Sequence, residues 1–382
     1  MEFPPASRPR ERFVFIDGLR GIAALYVAVF HFWLLADGLS GGAVSGVTPG
    51  ALTLLLMHGD LGVDIFFVIS GFVISYSMLG ERIGLEFIRT FALRRSLRLD
   101  PPYWIVLASV VLIRVIEASV FRKPVELPSP WTFTTNVMYL QDIMGTPNLL
   151  SISWTLCLEI QFYLVYVLLL AIVQRAFSTN VRLELRLAAV FGPVFVISGA
   201  FLYAQATAHG VFINYWYAFF LGALTCWALY ARTGFGVWAA TTTVVLVATA
   251  ITRQPQPAAV AGAAALIYVA GRLGRLTTWL RAGPLQYLGG ISYSLYLVHA
   301  PFGWGIVGLG NALAKSSVLA HFGSIGLAIG ASIVLAHLLR SYVEVPGIQL
   351  GRRLTSGAPA RSMSVSPVAG DIQADALATP PG

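Results

Sequence analysis

An arginine and a histidine eleven residues apart, Arg20 and His31, stand in an otherwise apolar run of the chain. Ionisable groups in such runs are costly and mark functional positions. At about 100° per residue, eleven residues end within about 20° of three full helical turns. Both side chains therefore share one helix face, about 16 Å apart along the axis. Asp17, three residues before Arg20, is placed to pair with it. Two carboxylates occupy similar apolar runs: Asp64 in Gly62-Val63-Asp64-Ile65-Phe66, and Glu159 shortly after Ser153-Trp154-Thr155-Leu156. An imidazole with a carboxylate beside it is the composition of a general base and the group that orients it. A third cluster, Arg94-Arg95-Ser96-Leu97-Arg98, precedes Pro101-Pro102-Tyr103. Guanidinium groups bind phosphate through paired donors, so this cluster suits a phosphorylated ligand.

Composition says which elements hold these groups. The chain has 382 residues, 57% of them hydrophobic and 11% charged. Ordinary soluble domains carry about 25% charged residues, so a soluble enzyme is excluded, as are disordered, fibrous and disulfide-stapled classes. The fold class is all-α: a polytopic membrane protein whose spans each need roughly 20 apolar residues. Ten candidate spans fall at residues 16–36, 57–79, 102–120, 154–174, 187–206, 213–231, 236–252, 258–271, 285–309 and 318–340. With the N-terminus in the cytoplasm, 19 of the 25 basic residues fall in inner segments and four, Arg122, Lys123, Arg253 and Lys315, in outer loops. That asymmetry fixes the orientation and supports an even number of spans, with both termini cytoplasmic. A membrane domain over residues 13–347 is expected between a cytoplasmic tail, 1–12, and a flexible one, 348–382, rich in Ser, Ala, Pro and Gly.

The formal charge of +8 is spread over short loops, which is a topology signal and no sign of a nucleic-acid partner. Cys157 and Cys226 lie in apolar runs and give neither a disulfide framework nor metal-ligand spacing. Depth reckoned at about 1.5 Å per residue puts His31, Asp64 and Glu159 in the outer third of the bilayer core. Arg20 falls near the inner edge, level with the arginine cluster.

At these residues the sequence resembles the membrane acyltransferase-3 family, the O-acyltransferases of bacterial envelope polysaccharides, nodulation factors and macrolides. The resemblance covers roughly residues 12–347 and is carried by motifs in order. They are Asp17-Gly18-Leu19-Arg20 with His31, Gly62 to Phe72 ending in Ser70-Gly71-Phe72, Arg94 to Trp104, Trp154 to Leu164, Leu288 to His299, and Tyr342-Val343-Glu344-Val345-Pro346. It implies ten spans, an acyl-CoA co-substrate, commonly acetyl-CoA, a carbohydrate or glycoside acceptor, and residence in the bacterial inner membrane. Family residues map onto Arg20, His31, Asp64, the Ser70-Gly71-Phe72 element, the Arg95 and Arg98 pair, and Glu159.

The expected chemistry follows. Arg95 and Arg98, with Arg20, hold the CoA phosphates, and a passage along the polar stripe of the first span brings the thioester to His31. His31 is the general base, oriented by Asp64 or Glu159. Ser70 and Gly71 allow close backbone approach and supply oxyanion donors, with Phe72 and Tyr103 further substrate contacts. Cys157 reads as a small apolar packing residue. His299, beside Pro301, reads as an interfacial or packing residue, and Glu344 as a helix-end or packing residue. A secondary transporter would also need intramembrane charges, but it predicts inverted repeats, and none is visible. A scaffold without chemistry is the other rival. Acceptor identity, acyl length, position acylated, acceptor face and oligomeric state are not legible.

Overall fold

The computed structural model describes residues 11–355 except 121, 123, 125, 178–180, 209, 232 and 314–316. Lys123 and Lys315, residues 1–10 and the expected tail beyond residue 355 lie outside the described residues. Of the described residues 81% are helical, and none lies in a strand. The helices are α1 (Val14–Leu39), α2 (Ala43–Val47), α3 (Gly50–Leu56), α4 (Leu61–Met78), α5 (Leu85–Val120), α6 (Pro130–Val137), α7 (Trp154–Arg175), α8 (Leu183–Ala204), α9 (Trp216–Tyr230), α10 (Phe235–Thr252), α11 (Gln256–Arg272), α12 (Gly283–Val298), α13 (Trp304–Leu313), α14 (Val318–Leu339) and α15 (Val345–Thr355).

Eight of the helical segments are long and apolar enough to cross a membrane, as an all-α polytopic membrane protein requires. The remaining two expected spans are also helical. One is α11, of 17 residues. The other is α12, which widens into a π turn over His299–Gly303 and continues as α13. A second π turn, Arg340–Glu344, joins α14 to α15. Pro301 lies within the first and Pro346 just past the second. A proline offers no N–H to the helical ladder, and a local π turn is one way for a helix to absorb that loss.

Three features go beyond the sequence reading. The span expected at residue 102 belongs to a helix that begins at Leu85 and runs through Pro101 and Pro102. The arginine cluster is therefore on a helix, not in a loop before one. Helix α15 runs past residue 347 to Thr355 and packs against α5. The outer segment before α7 is folded inward. Asn136 donates to the carbonyls of Thr132 and Pro147 and accepts from the Leu149 N–H. Its own carbonyl accepts from Tyr103 Oη at 2.9 Å.

Small residues let the central helices approach. A Cβ on Gly71 of α4 would collide with the Phe219 carbonyl of α9, and one on Gly222 of α9 with the Val68 carbonyl of α4. Close backbone contact of this kind is the main packing device available between helices in lipid. Around it lies an aromatic core of Phe67, Phe72, Phe162, Phe191, Trp216 and Phe219.

Candidate active site

Three arginines and a glutamate face one cavity inside the bundle. It measures about 100 Å³ and is lined by Arg20, Ser70, Arg95, Arg98, Glu159 and Tyr296 among others. Arg95 and Arg98 also line a larger vestibule of about 570 Å³ at the basic end of the bundle, with Arg94 and Arg352. One pair of arginines is thus common to both spaces.

Each group is held by a different helix. Arg95 of α5 bonds Glu159 Oε1 of α7 at 3.2 Å, and its guanidinium lies 4.1 Å over the Tyr163 ring. Ser70 Oγ of α4 donates to the same Glu159 oxygen at 2.8 Å, as does the Tyr163 hydroxyl, one turn along α7. Arg98 Nε lies 3.6 Å from Glu344 Oε1, while Ser294 Oγ donates to Glu344 Oε2 at 2.9 Å. Arg20 donates to Ser292 Oγ at 3.0 Å. Even so, Arg95 Nε and Arg98 Nε are buried without a hydrogen-bond acceptor. Three guanidinium groups face two carboxylates here, so the cavity offers spare donors and excess positive charge to an anion.

His31 belongs to a second cluster. Its Nδ1 lies 3.0 Å from the Val27 carbonyl oxygen and 3.2 Å from His299 Nε2. His299 is fully buried, and its Nδ1 lies 2.7 Å from the Tyr296 carbonyl oxygen. The Trp304 ring closes on His31 at 6.0 Å between centroids. Tyr296 joins the two clusters: its ring packs against His299 and Phe66 and also lines the central cavity. Its hydroxyl bonds Thr155 Oγ1 at 2.9 Å.

The structure redistributes several expected roles. Neither Asp64 nor Glu159 bonds His31; His299 does. Gly62 is the residue of α4 that packs on α1, against Ala23 and Val27. Asp64, two residues on and about 200° round the helix, turns away from α1. It is 4% exposed, with Oδ1 unpartnered. Glu159 of α7 faces Arg95 of α5, and the segment before α7 packs into the bundle, with Leu149, Leu150 and Ile152 buried.

Asp17 bonds Arg12 at 2.8 Å in place of the expected Arg20. Of the four expected substrate contacts, Ser70 alone lines the cavity. Gly71 is consumed by the contact with α9. Phe72 is buried against Phe13 and Tyr230, and Tyr103 is fully buried with its hydroxyl on Asn136. Cys157 is buried, in keeping with a packing role. The space expected to run from the arginines to His31 is not continuous: the cavity is lined by Phe66 and Tyr296 and not by His31.

Residues that the sequence reading discounted sit at the centre. His299 opens one π turn and Glu344 closes the other, and each turn aims its ionisable side chain into the bundle. An ionisable residue close to a proline in an apolar helix was the available signal.

Comparison with known proteins gives a consistent picture. The profile of the acyltransferase domain family Acyl_transf_3 matches residues 13–337. The chain is 28% identical to peptidoglycan O-acetyltransferase OatA of Listeria monocytogenes over 204 residues, 50% of the chain and 29% of that protein. It is 27% identical to acyltransferase MdmB of Streptomyces mycarofaciens over 376 residues, 88% of the chain and 92% of that protein. The chain spans less than a third of the length of the peptidoglycan-type relatives it matches. No solved structure matches it.

Proposed function

The chain belongs to this acyltransferase family, and on that premise we propose that it moves an acyl group, acetyl in the simplest case, from acyl-CoA to a hydroxyl of a carbohydrate or glycosylated acceptor. The protein works in the bacterial inner membrane. The observation that carries the donor assignment is the pair of buried, acceptor-free nitrogens Arg95 Nε and Arg98 Nε, on a cavity that shares these arginines with a basic vestibule. CoA phosphates dock in the vestibule from the cytoplasm, and the pantetheine arm enters past Arg95 and Arg98. Arg20, tethered to Ser292, adds a third positive charge along the arm.

The thioester then reaches His31 past Tyr296, which lines the cavity and packs on His299. His31 takes the proton from the acceptor hydroxyl as its oxygen bonds to the thioester carbonyl carbon. The tetrahedral intermediate collapses with cleavage of the C–S bond. The CoA thiolate leaves and receives the proton from the imidazolium. Two products result, the O-acyl ester and CoA-SH, and no group on the protein is consumed.

A second reading makes Glu159 the base, because it lines the cavity. Against it, Oε1 already accepts from Ser70, Arg95 and Tyr163, the arrangement of an anchor for the arginine layer. The test is mass spectrometry of envelope glycans and secreted metabolites from a deletion strain, complemented with wild type or with His31→Ala. The proposal expects one acylated species to vanish in the deletion and to return with wild type only. An unchanged acylation profile in the deletion strain would refute it.

A further inference from the structure

We infer that His299 is the positioning residue of the His31 base: together with the Val27 carbonyl it holds the Nδ1–H edge of His31 and so leaves Nε2 free to act. The inference deepens the proposed function and rests on the reading of His31 as base. Two groups here can only accept: the Val27 carbonyl, 3.0 Å from His31 Nδ1, and the Tyr296 carbonyl, 2.7 Å from His299 Nδ1. A ring nitrogen facing a carbonyl oxygen at these distances must carry hydrogen, since otherwise two lone pairs oppose each other.

His299 Nδ1 is therefore the N–H of a neutral ring, and its Nε2 is a bare acceptor. That acceptor lies 3.2 Å from His31 Nδ1, which already carries hydrogen on account of Val27. The His31 proton is shared between the Val27 carbonyl and His299 Nε2. All three contacts are satisfied by this one assignment for two neutral rings, and it leaves His31 Nε2 with a free lone pair. That atom is the base.

The fold makes the assignment rigid. His299 is fully buried, and it is the first residue of the π turn that continues α12. The anchoring carbonyl of Tyr296 is three residues back on the same helix. Phe32 and Tyr296 pack on its ring, while Trp304, the first residue after the turn, packs on His31. In the familiar triad a carboxylate sets the tautomer of the base. Here the Val27 carbonyl and a neutral imidazole share that task, the imidazole being itself set by the Tyr296 carbonyl. His31 is held at its Nδ1 edge from two sides, which keeps Nε2 in one direction for the acceptor hydroxyl.

The test uses the full chain in lipid nanodiscs, with acetyl-CoA as donor and a mixed glycan panel as acceptor. His299→Leu keeps bulk but removes the acceptor, whereas His299→Gln can place an amide oxygen near the position of Nε2. His299→Leu is expected to lower kcat on the order of 10- to 100-fold, the range seen when the partner orienting a histidine ligand is lost. CoA affinity stays unchanged, and His299→Gln recovers turnover relative to His299→Leu. Independently of turnover, 15N spectra of histidine-labelled protein, with His31 assigned through His31→Gln, should show His31 protonated at Nδ1 alone in wild type. In His299→Leu, with the Val27 carbonyl the remaining acceptor at Nδ1, they should show a weakened preference for that tautomer. A His31 ring protonated at Nε2 in wild type, or a His299→Leu variant with wild-type kcat and normal CoA binding, overturns the inference. Loss of the base role itself would show differently, as turnover surviving His31→Gln while the 15N assignment stands.

Discussion

Arg98 Nε and Glu344 Oε1 lie 3.6 Å apart, so a π turn at the end of α14 supplies the counter-charge to an arginine on α5. Glu344 is 1% exposed and also accepts from Ser294. Removing a buried partner leaves the other charge uncompensated. Arg98 is about one-third exposed and can recover some hydration, so Glu344→Ala should cost about 1–3 kcal/mol of stability. Thermal unfolding in nanodiscs measures the loss, and Glu344→Gln, which keeps the Ser294 contact, should lose less.

The two guanidinium nitrogens without a hydrogen-bond acceptor, Arg95 Nε and Arg98 Nε, make donor binding sensitive to both arginines. A hydrogen bond to a charged group contributes about 1.5–3 kcal/mol, and about 1.4 kcal/mol is a tenfold change in affinity. Arg95→Gln and Arg98→Gln should each weaken CoA binding about 10- to 100-fold. Calorimetry with CoA and with dephosphorylated pantetheine separates the phosphate contribution. An equal loss for both ligands would place the arginines on the arm and not on the phosphates.

Gly71 and Ser70 are neighbours with opposite expected consequences. Gly71 faces the Phe219 carbonyl at a distance that leaves no room for Cβ. Gly71→Ala should therefore destabilise by about 1–3 kcal/mol through overpacking and lower the yield of folded protein. Ser70 faces the cavity and holds Glu159. Ser70→Ala should unfold at nearly the wild-type temperature while binding CoA more weakly. Unfolding temperature and CoA affinity, read together, check the contrast.

Asp64 is buried with one oxygen unpartnered, a costly state for a carboxylate. Asp64→Asn keeps the shape and removes the charge. It should raise the unfolding temperature in nanodiscs, and a fall in that temperature would point to a bond made by the ionised group.

The spans were legible because apolar runs of about 20 residues leave few alternatives in a bilayer. The start of α5 was not: five arginines over Arg82–Arg98 and a Pro-Pro pair have the marks of a loop, yet α15 packs alongside and supports a helix there. The arginine side of the site was legible too, since Arg20, Arg95 and Arg98 converge from separate motifs. The partner of His31 was not. Helical spacing describes one helix at a time, whereas the direction of Asp64 depends on Gly62 being the contact with α1. The meeting of Glu159 with Arg95 depends on how α5 and α7 pack, which no span length reports. His299 and Glu344 gain their orientation from π turns, whose extra residue shifts the side-chain phase away from the 3.6-residue count.

The most direct measurement is single-turnover acyl transfer from acetyl-CoA in nanodiscs, for wild type and His31→Gln, with CoA affinity determined on the same samples. The account predicts transfer reduced to background while CoA binds as tightly as to wild type. Transfer within a few-fold of wild type in His31→Gln would contradict it and hand the base role to another residue.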